Sequence, residues 1–335
     1  VHAMHAPETK YHYGRRGTPT SEALTDAMSE LEGAAGTVLT PSGLSAISVA
    51  LLSCLSAGDH LLVTDTAYRP TRGVCNGVLK RLGIETTYFD PAIGAGIEAL
   101  FRPNTKAVFT EAPGSLTFEM MDIPAIAEVA HRHGATVLMD NTWATPLFFR
   151  PLDHGVDISI MAATKYVVGH SDAMIGTVAA NARAWPALKS TYGDLGMFTG
   201  PDDMWLALRG LRTMAVRLER HQKSTLAVAE WMQEQPAVER VLYPALPDDP
   251  GHAIWKRDFC GASGLFGVIL KPCSKDAVAA LLDGLDLFGL GYSWGGFESL
   301  AIPCDMTGIR TATPWDLDTK LLRFHIGLED PKDLI

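Results

Sequence analysis

Short apolar runs rich in β-branched residues alternate with longer amphipathic stretches through the first two hundred residues. The runs at 60–64, 84–89, 106–110, 135–140 and 156–161 are continuous and flanked by turn-forming residues, which predicts buried strands. Between them, 70–82 and 124–133 carry helical spacing. The first ends at Gly83; the second has Pro124 in its first turn and Gly134 just past its end. This strand–helix rhythm predicts an α/β fold whose mainly parallel sheet is covered by helices on both faces. Past residue 211 the pattern changes. A long amphipathic helix over 214–235 stops at Pro236, and strands at 238–243, 265–270 and 322–327 with a helix near 276–282 predict a smaller α+β unit. The expected division is a polar, irregular arm at 1–17, a large α/β domain at 18–211 and a C-terminal α+β domain at 212–335.

Charge and composition narrow the function classes. A net charge of -10 argues against nucleic acid or an anionic membrane as partner. The longest apolar run, near Ala46–Leu55, is broken by Ser48 and Ser53, so no membrane span is expected, and no signal-peptide pattern opens the chain. Cys54, Cys75, Cys260, Cys273 and Cys304 are scattered and show no C-x-x-C spacing. That favours a reduced, cytoplasmic setting over disulfides or zinc. The histidines show no H-E-x-x-H pattern, and no metal is expected.

The candidate chemistry lies at strand ends. Asp140 closes the run Val137-Leu138-Met139, and Lys165 follows the run that ends at Met161. Pyridoxal 5'-phosphate needs such a pair: an amine to hold its aldehyde as a Schiff base, and a carboxylate to keep its pyridine nitrogen protonated. Each residue alone is equally well an ordinary polar group where a strand meets solvent. In parallel sheets ligands bind outside the carboxyl ends of the strands, and both residues fall on that side.

Leu39–Ile47 leads a turn of small residues into a helix. Gly43 allows close backbone approach, and the first free amides form an anion site suited to a phosphate; a plain helix start capped by Ser42 is the alternative. Tyr68 follows the 60–64 strand to the same edge, where its ring either stacks on a flat heterocycle or lines the rim. Tyr13 and Arg15 lie in a segment without periodicity, the usual setting of a solvated basic loop. Arg323 stands inside an apolar strand and needs an anionic partner, either a substrate carboxylate or an internal salt bridge.

Taken together, several strings resemble the Cys/Met-metabolism family of pyridoxal-phosphate enzymes, in order and over nearly the whole chain. They are Tyr13-Gly14-Arg15-Arg16-Gly17-Thr18, the Ser42-Gly43 turn, Asp140-Asn141-Thr142-Trp143, Ala163-Thr164-Lys165-Tyr166, Gly169-His170-Ser171-Asp172 and Tyr292-Ser293-Trp294-Gly295-Gly296-Phe297-Glu298-Ser299. The resemblance implies the fold type I, PLP-dependent transferase-like architecture, with a large domain built on a seven-stranded type of sheet. It implies that Lys165 is the Schiff-base lysine and proton carrier, that Asp140 pairs with the pyridinium nitrogen, and that Tyr68 stacks on the ring. Gly43, Leu44 and Thr164 would hold the phosphate. Tyr13 and Arg15 would reach the phosphate of a neighbouring subunit, which implies a homo-oligomer of active-site dimers, a tetramer in the family. Arg323 and Ser293 would bind the substrate α-carboxylate, and Arg16 a distal carboxylate.

Two departures from the family stand out. Ala162 occupies a position that is often serine, and Glu111-Ala112-Pro113 runs into Gly114-Ser115-Leu116 rather than Ser-Asn-Pro. Tyr292 stands where γ-acting branches typically carry glutamate, and with Trp294 close behind it this resembles the β-eliminating branch. The expected reaction is β-elimination of a thioether amino acid, L-cystathionine, to L-homocysteine, pyruvate and ammonia, a step of methionine biosynthesis. The alternatives are a γ-lyase or γ-synthase of the same fold, or a broad cysteine-S-conjugate β-lyase. A catalytically silent ligand-binding relative is disfavoured because Lys165 and Asp140 are both retained.

Overall fold

Five of the strands in the larger sheet are those the apolar runs predict. The computed structural model describes residues 11, 13–316 and 318–335, so Val1–Lys10 and His12 of the expected arm lie outside the described residues. The sheet comprises β1 (Gly36–Thr40), β2 (His60–Thr64), β3 (Glu85–Phe89), β4 (Thr105–Glu111), β5 (Thr136–Asp140), β6 (Ile158–Met161) and β7 (Gly176–Ala180), in the order β1-β7-β6-β5-β4-β2-β3. The pairs β2–β3, β2–β4, β4–β5 and β5–β6 are parallel, whereas β7 runs antiparallel to both β6 and β1. The sequence pattern does not announce β1 and β7. Their segments are only five residues long and open on Gly36 and Gly176, and they become strands by pairing with each other residue for residue.

The middle strands read as unbroken apolar runs because both faces are covered. Leu61, Val63, Phe109 and Leu138 point into a core shared with the helix Gly43–Leu52. Their neighbours Leu62, Val108, Val137 and Met139 pack with the helix Ile123–Arg132 on the opposite face. Because these side chains are fully buried, truncating one such leucine to alanine removes about 2–5 kcal/mol.

A second sheet contains β8 (Val238–Leu242), β9 (Leu265–Leu270), β10 (Leu300–Pro303) and β11 (Lys320–His325), all antiparallel, in the order β10-β11-β9-β8. β10 is short and carries Pro303, which suits an edge and hides it from a periodicity search. Phe266, Val268, Leu322 and Phe324 join the same apolar cluster as Leu62 and Val108, so one core runs under both sheets. The proposed division at 211/212 falls between the helices Pro201–Leu211 and Met214–Gln233.

One buried carboxylate ties the two sheets' loops together. Asp65, just past β2, accepts the backbone amides of Thr311, Ala312 and Thr313 at 2.9, 2.9 and 3.0 Å and the Arg72 guanidinium at 3.0 Å. Arg310 stands 3.4 Å away and reaches on to Glu119. Burial by itself would raise the pKa of Asp65; the Thr313, Thr311 and Ala312 amides overcome it and hold the group near about 2, below its ordinary 3.8. A depressed folded-state value means the stabilisation is complete above the unfolded value and fades as pH falls from about 4 towards 2. Asp65→Ala is expected to cost about 3–5 kcal/mol at neutral pH, because it leaves Arg72 buried and unpaired. Denaturant titrations at pH 7 and along the acid limb measure this. An acid limb unchanged in the variant would contradict the assignment.

Candidate active site

The parallel strands β2, β4, β5 and β6 run out at one edge of the large sheet, where a cavity of about 810 Å³ opens against β11 and the 292–296 loop. Lys165 sits in the turn after β6. Its Nζ donates to Ser293 Oγ at 2.6 Å and lies 5.3 Å from the centre of the Trp294 ring. Burial lowers its pKa from 10.5 to about 8; the Arg323 charge pushes the same way and Asp140 opposes. The amine is therefore within reach of its neutral, nucleophilic form. Gly295 lets the loop lie directly on this lysine. Its φ is +85°, and a methyl group there would stand 2.8 Å from Lys165 Cβ.

Asp140 ends β5 and is buried. Its Oδ1 accepts the Thr142 amide at 3.0 Å and the Thr142 hydroxyl at 2.5 Å, and Thr142 Oγ1 in turn accepts the Ala162 amide at 2.8 Å. These bonds lock the carboxylate's direction and link it to the turn that carries Lys165. Oδ2 has no hydrogen-bond donor, and no cationic nitrogen lies within ion-pair distance of the group, among the described residues. Burial raises its pKa, with the Thr142 bonds and Lys165 resisting. A carboxylate placed in this way calls for a cationic donor from the cavity.

Glu111 and Thr142 take on roles that the sequence reading did not assign to them. Glu111 ends β4 in register with Asp140 on β5, and its Oε2 accepts the Tyr68 amide at 2.7 Å. Loss of hydration, with Asp140 adding to it, raises the Glu111 pKa well above the ordinary value. Both causes favour the neutral form of Glu111 beside Asp140. An acid at the end of each of two successive strands was the available signal.

Arg323 on β11 is buried with its Nη2 donating to the backbone oxygens of Tyr292 at 2.8 Å and Gly291 at 3.4 Å. No carboxylate of the described residues pairs with it, so the internal salt bridge considered from the sequence is not formed. The guanidinium keeps donors for an anion from the cavity.

At the helix start Gly43–Leu52, the two sequence readings do not exclude each other. Ser42 caps the helix through Ser45, while the Gly43 and Leu44 amides have no acceptor among the described residues and line the cavity. Gly43 is required by contact with the Lys165 turn, since a methyl group there would stand 2.5 Å from Ala162 Cβ. Thr164 also lines the cavity, but its hydroxyl donates to Ile175 O at 3.1 Å and accepts from Ile175 N at 2.9 Å.

Tyr68 flanks the opening, 45% exposed, and burial of its phenol beside Asp140 and Glu111 raises its pKa, keeping it protonated. Tyr292, Ser293 and Trp294 form the facing wall, with Tyr292 84% exposed. Tyr13, Arg15 and Arg16 do not reach this cavity. Tyr13 and Arg16 are exposed, and Arg15 donates to Gly193 O at 3.3 Å.

The cavity therefore presents an amine near neutrality, a buried carboxylate needing a cation, free helix-start amides for a phosphate, an aromatic face, and a guanidinium needing a carboxylate. Pyridoxal 5'-phosphate carrying an amino acid answers each demand, so the residues present fit that group. Comparison with known proteins agrees. A protein from Rhizobium johnstonii is 57% identical over 99% of this chain and 85% of its own length. The cystathionine beta-lyase of Escherichia coli is 49% identical over 96% of this chain and 83% of its own. The crystal structure of a cystathionine gamma synthase from Xanthomonas oryzae pv. oryzae superimposes with a TM-score of 0.91 at 34% identity, covering 98% of this chain and 86% of that one. The family model described as Cys/Met metabolism PLP-dependent enzyme matches residues 2–335, and the chain belongs to that family, whose cofactor is pyridoxal phosphate.

Proposed function

We propose that this enzyme is a carbon–sulfur lyase that converts L-cystathionine and water to L-homocysteine, pyruvate and ammonia by β-elimination, as in methionine biosynthesis. The observation that carries the reading is the placement of two buried, unpaired charges of opposite sign, Asp140 and Arg323, around a lysine whose pKa is lowered to about 8. The high identity to a cystathionine beta-lyase supports the choice of substrate.

When bound, the cofactor supplies an electron sink that lets the substrate Cα–H ionise. The chain's residues do the rest. Lys165 would hold the cofactor through its aldehyde and, as a free amine, would move the proton from the substrate Cα to the departing sulfur. Ser293 holds the Lys165 nitrogen on that path. Tyr68 stacks on the ring and, being protonated, supports the sulfur as it leaves. Asp140, aimed by Thr142, keeps the ring nitrogen protonated. The Gly43 and Leu44 amides hold the phosphate, joined by Thr164 once its hydroxyl turns from Ile175. Arg323 and Ser293 orient the α-carboxylate so that the Cα–H faces Lys165.

A γ leaving group would need a second proton taken from Cβ. Tyr292, in place of the glutamate typical of γ-acting branches, with Trp294 beyond it, favours the β reaction. Tyr13 and Arg15, which miss the cavity of their own chain, are proposed to reach the phosphate of a neighbouring subunit, and Arg16 a distal carboxylate there, in a dimer-based tetramer. The arm at 1–17 and the domains at 18–211 and 212–335 are proposed as the units of that assembly. The five unpaired cysteines suit a cytoplasmic, reducing setting. Incubation with L-cystathionine should release pyruvate, read by a lactate dehydrogenase couple; 2-oxobutanoate instead would overturn the β assignment.

A further inference from the structure

The segment 291–298 lies against Lys165, yet it belongs to no helix or strand. Ser293 accepts from the lysine nitrogen, Trp294 stands beside it, and Gly295 packs on the lysine Cβ. No sheet ladder fixes these three residues, so side chains must set their distance from the nitrogen. Two residues on one face of β11 meet the segment. Arg323 holds the Tyr292 carbonyl, and His325, two residues on and so on the same face, ties the backbone further along. The His325 Nε2 lies 3.1 Å from the Gly295 amide nitrogen, and its Nδ1 lies 3.0 Å from the Glu298 carbonyl oxygen. Among the described residues, Gly295 is the one amide of 291–298 that has an acceptor. A single form of the imidazole satisfies both contacts. The carbonyl can only accept, so Nδ1 carries the hydrogen; the amide can only donate, so Nε2 offers its lone pair. A protonated ring would set an N–H against the Gly295 N–H. The surroundings favour the neutral ring. Burial pushes the His325 pKa well below its ordinary 6.5; His221, 5.3 Å away on the helix Met214–Gln233, acts the same way, the Glu298 carbonyl opposes, and the Arg323 and Lys165 charges side with burial. Tyr166 faces the ring from the lysine turn at 6.0 Å.

We propose that His325 is a positioning residue: its acceptor nitrogen fixes the backbone at Gly295 and thereby the place of Ser293 and Trp294 around the Lys165 nitrogen. The inference rests on the lyase reading above, in which Lys165 moves the Cα proton. His325 does not line the cavity and acts through Gly295. Proton transfer is steep in distance and angle, so a loosened loop slows that step while leaving substrate binding, held by Arg323, largely intact.

The test separates the two ring nitrogens. Asparagine keeps a donor near the Nδ1 position and leaves the Nε2 position empty, whereas glutamine returns an acceptor to it. In the cofactor-loaded enzyme, His325→Asn should lower kcat for L-cystathionine about tenfold with KM within about twofold, and His325→Gln should recover most of the loss. Because proton transfer becomes the slower step, the isotope effect on kcat from Cα-deuterated substrate should rise in His325→Asn. An unchanged kcat and isotope effect in that variant overturn the proposal. Equal losses in both variants also overturn it, since they assign the effect to the size of the ring rather than to its acceptor. Deuterium exchange read by mass spectrometry on the unmodified holoenzyme needs neither variant nor turnover. The Gly295 amide should exchange more slowly than those of Tyr292 and Ser293; exchange as fast as theirs removes the tie on which the proposal stands. If the unmodified enzyme releases no pyruvate from L-cystathionine, the lyase reading itself fails, an outcome distinct from the exchange result.

Discussion

Lys165→Ala is expected to abolish turnover, with a loss on the order of 10⁴ or more in kcat, and to remove the yellow, borohydride-reducible linkage to the cofactor. The size follows from the two tasks proposed for this nitrogen, to hold the cofactor covalently and to move the proton from Cα to sulfur. Among the described residues the cavity wall holds no second lysine, and its other basic side chains, Arg69 and Arg323, are guanidinium groups that do not give up their protons. The lowered pKa of about 8 makes the neutral form available near physiological pH. Absorbance spectra before and after borohydride, together with pyruvate release, read both tasks at once. Retained chromophore and full turnover in the variant would remove the centre of the proposed site.

The second large effect is expected at Asp140. Asp140→Asn keeps the shape of the group and its neighbours but removes the carboxylate that the Thr142 bonds aim. The ring nitrogen would then lose the partner proposed to keep it cationic. A fall in kcat of about 10³-fold is expected, comparable to removing a well-placed electrostatic stabiliser, with Lys165 still attached to the cofactor. Spectral retention of the cofactor with lost pyruvate release is the diagnostic combination. Activity within a few-fold of the original would show that the charge at Asp140 is not used. Glu111→Gln offers a control: burial and Asp140 both push this carboxyl towards its neutral form, so it should tolerate the change far better than Asp140 does.

Parts of this site were legible because their signals are local. A strand ending at Asp140, a strand whose exit turn holds Lys165, and the small residues before the Gly43–Leu52 helix all show in short windows of sequence. The strands β2, β4, β5 and β6 were placed to within two residues for the same reason: coverage on both faces makes them apolar without interruption. β1 and β7 were missed because they are short and pair with each other from opposite ends of the large domain, and β10 because it is short and carries Pro303. The choice between a capped helix and an anion site at Ser42 dissolved once the structure showed a capping hydroxyl and free amides side by side. For Arg323, only the absence of a carboxylate partner among the described residues separated a substrate contact from a salt bridge.

The sequence by itself determined five of the seven strands of the large sheet, the candidate chemistry at their ends and the family resemblance, because periodicity and residue type act over a few residues. Tertiary structure decided which charges remain unpaired. It set Glu111 against Asp140 by strand register and brought Ser293, from the loop before β10, onto Lys165, with Arg323 of β11 lining the same cavity. The physical reason is desolvation. A carboxyl or an amine takes its working protonation state from what is packed around it, and those neighbours meet only when the two sheets close over one core.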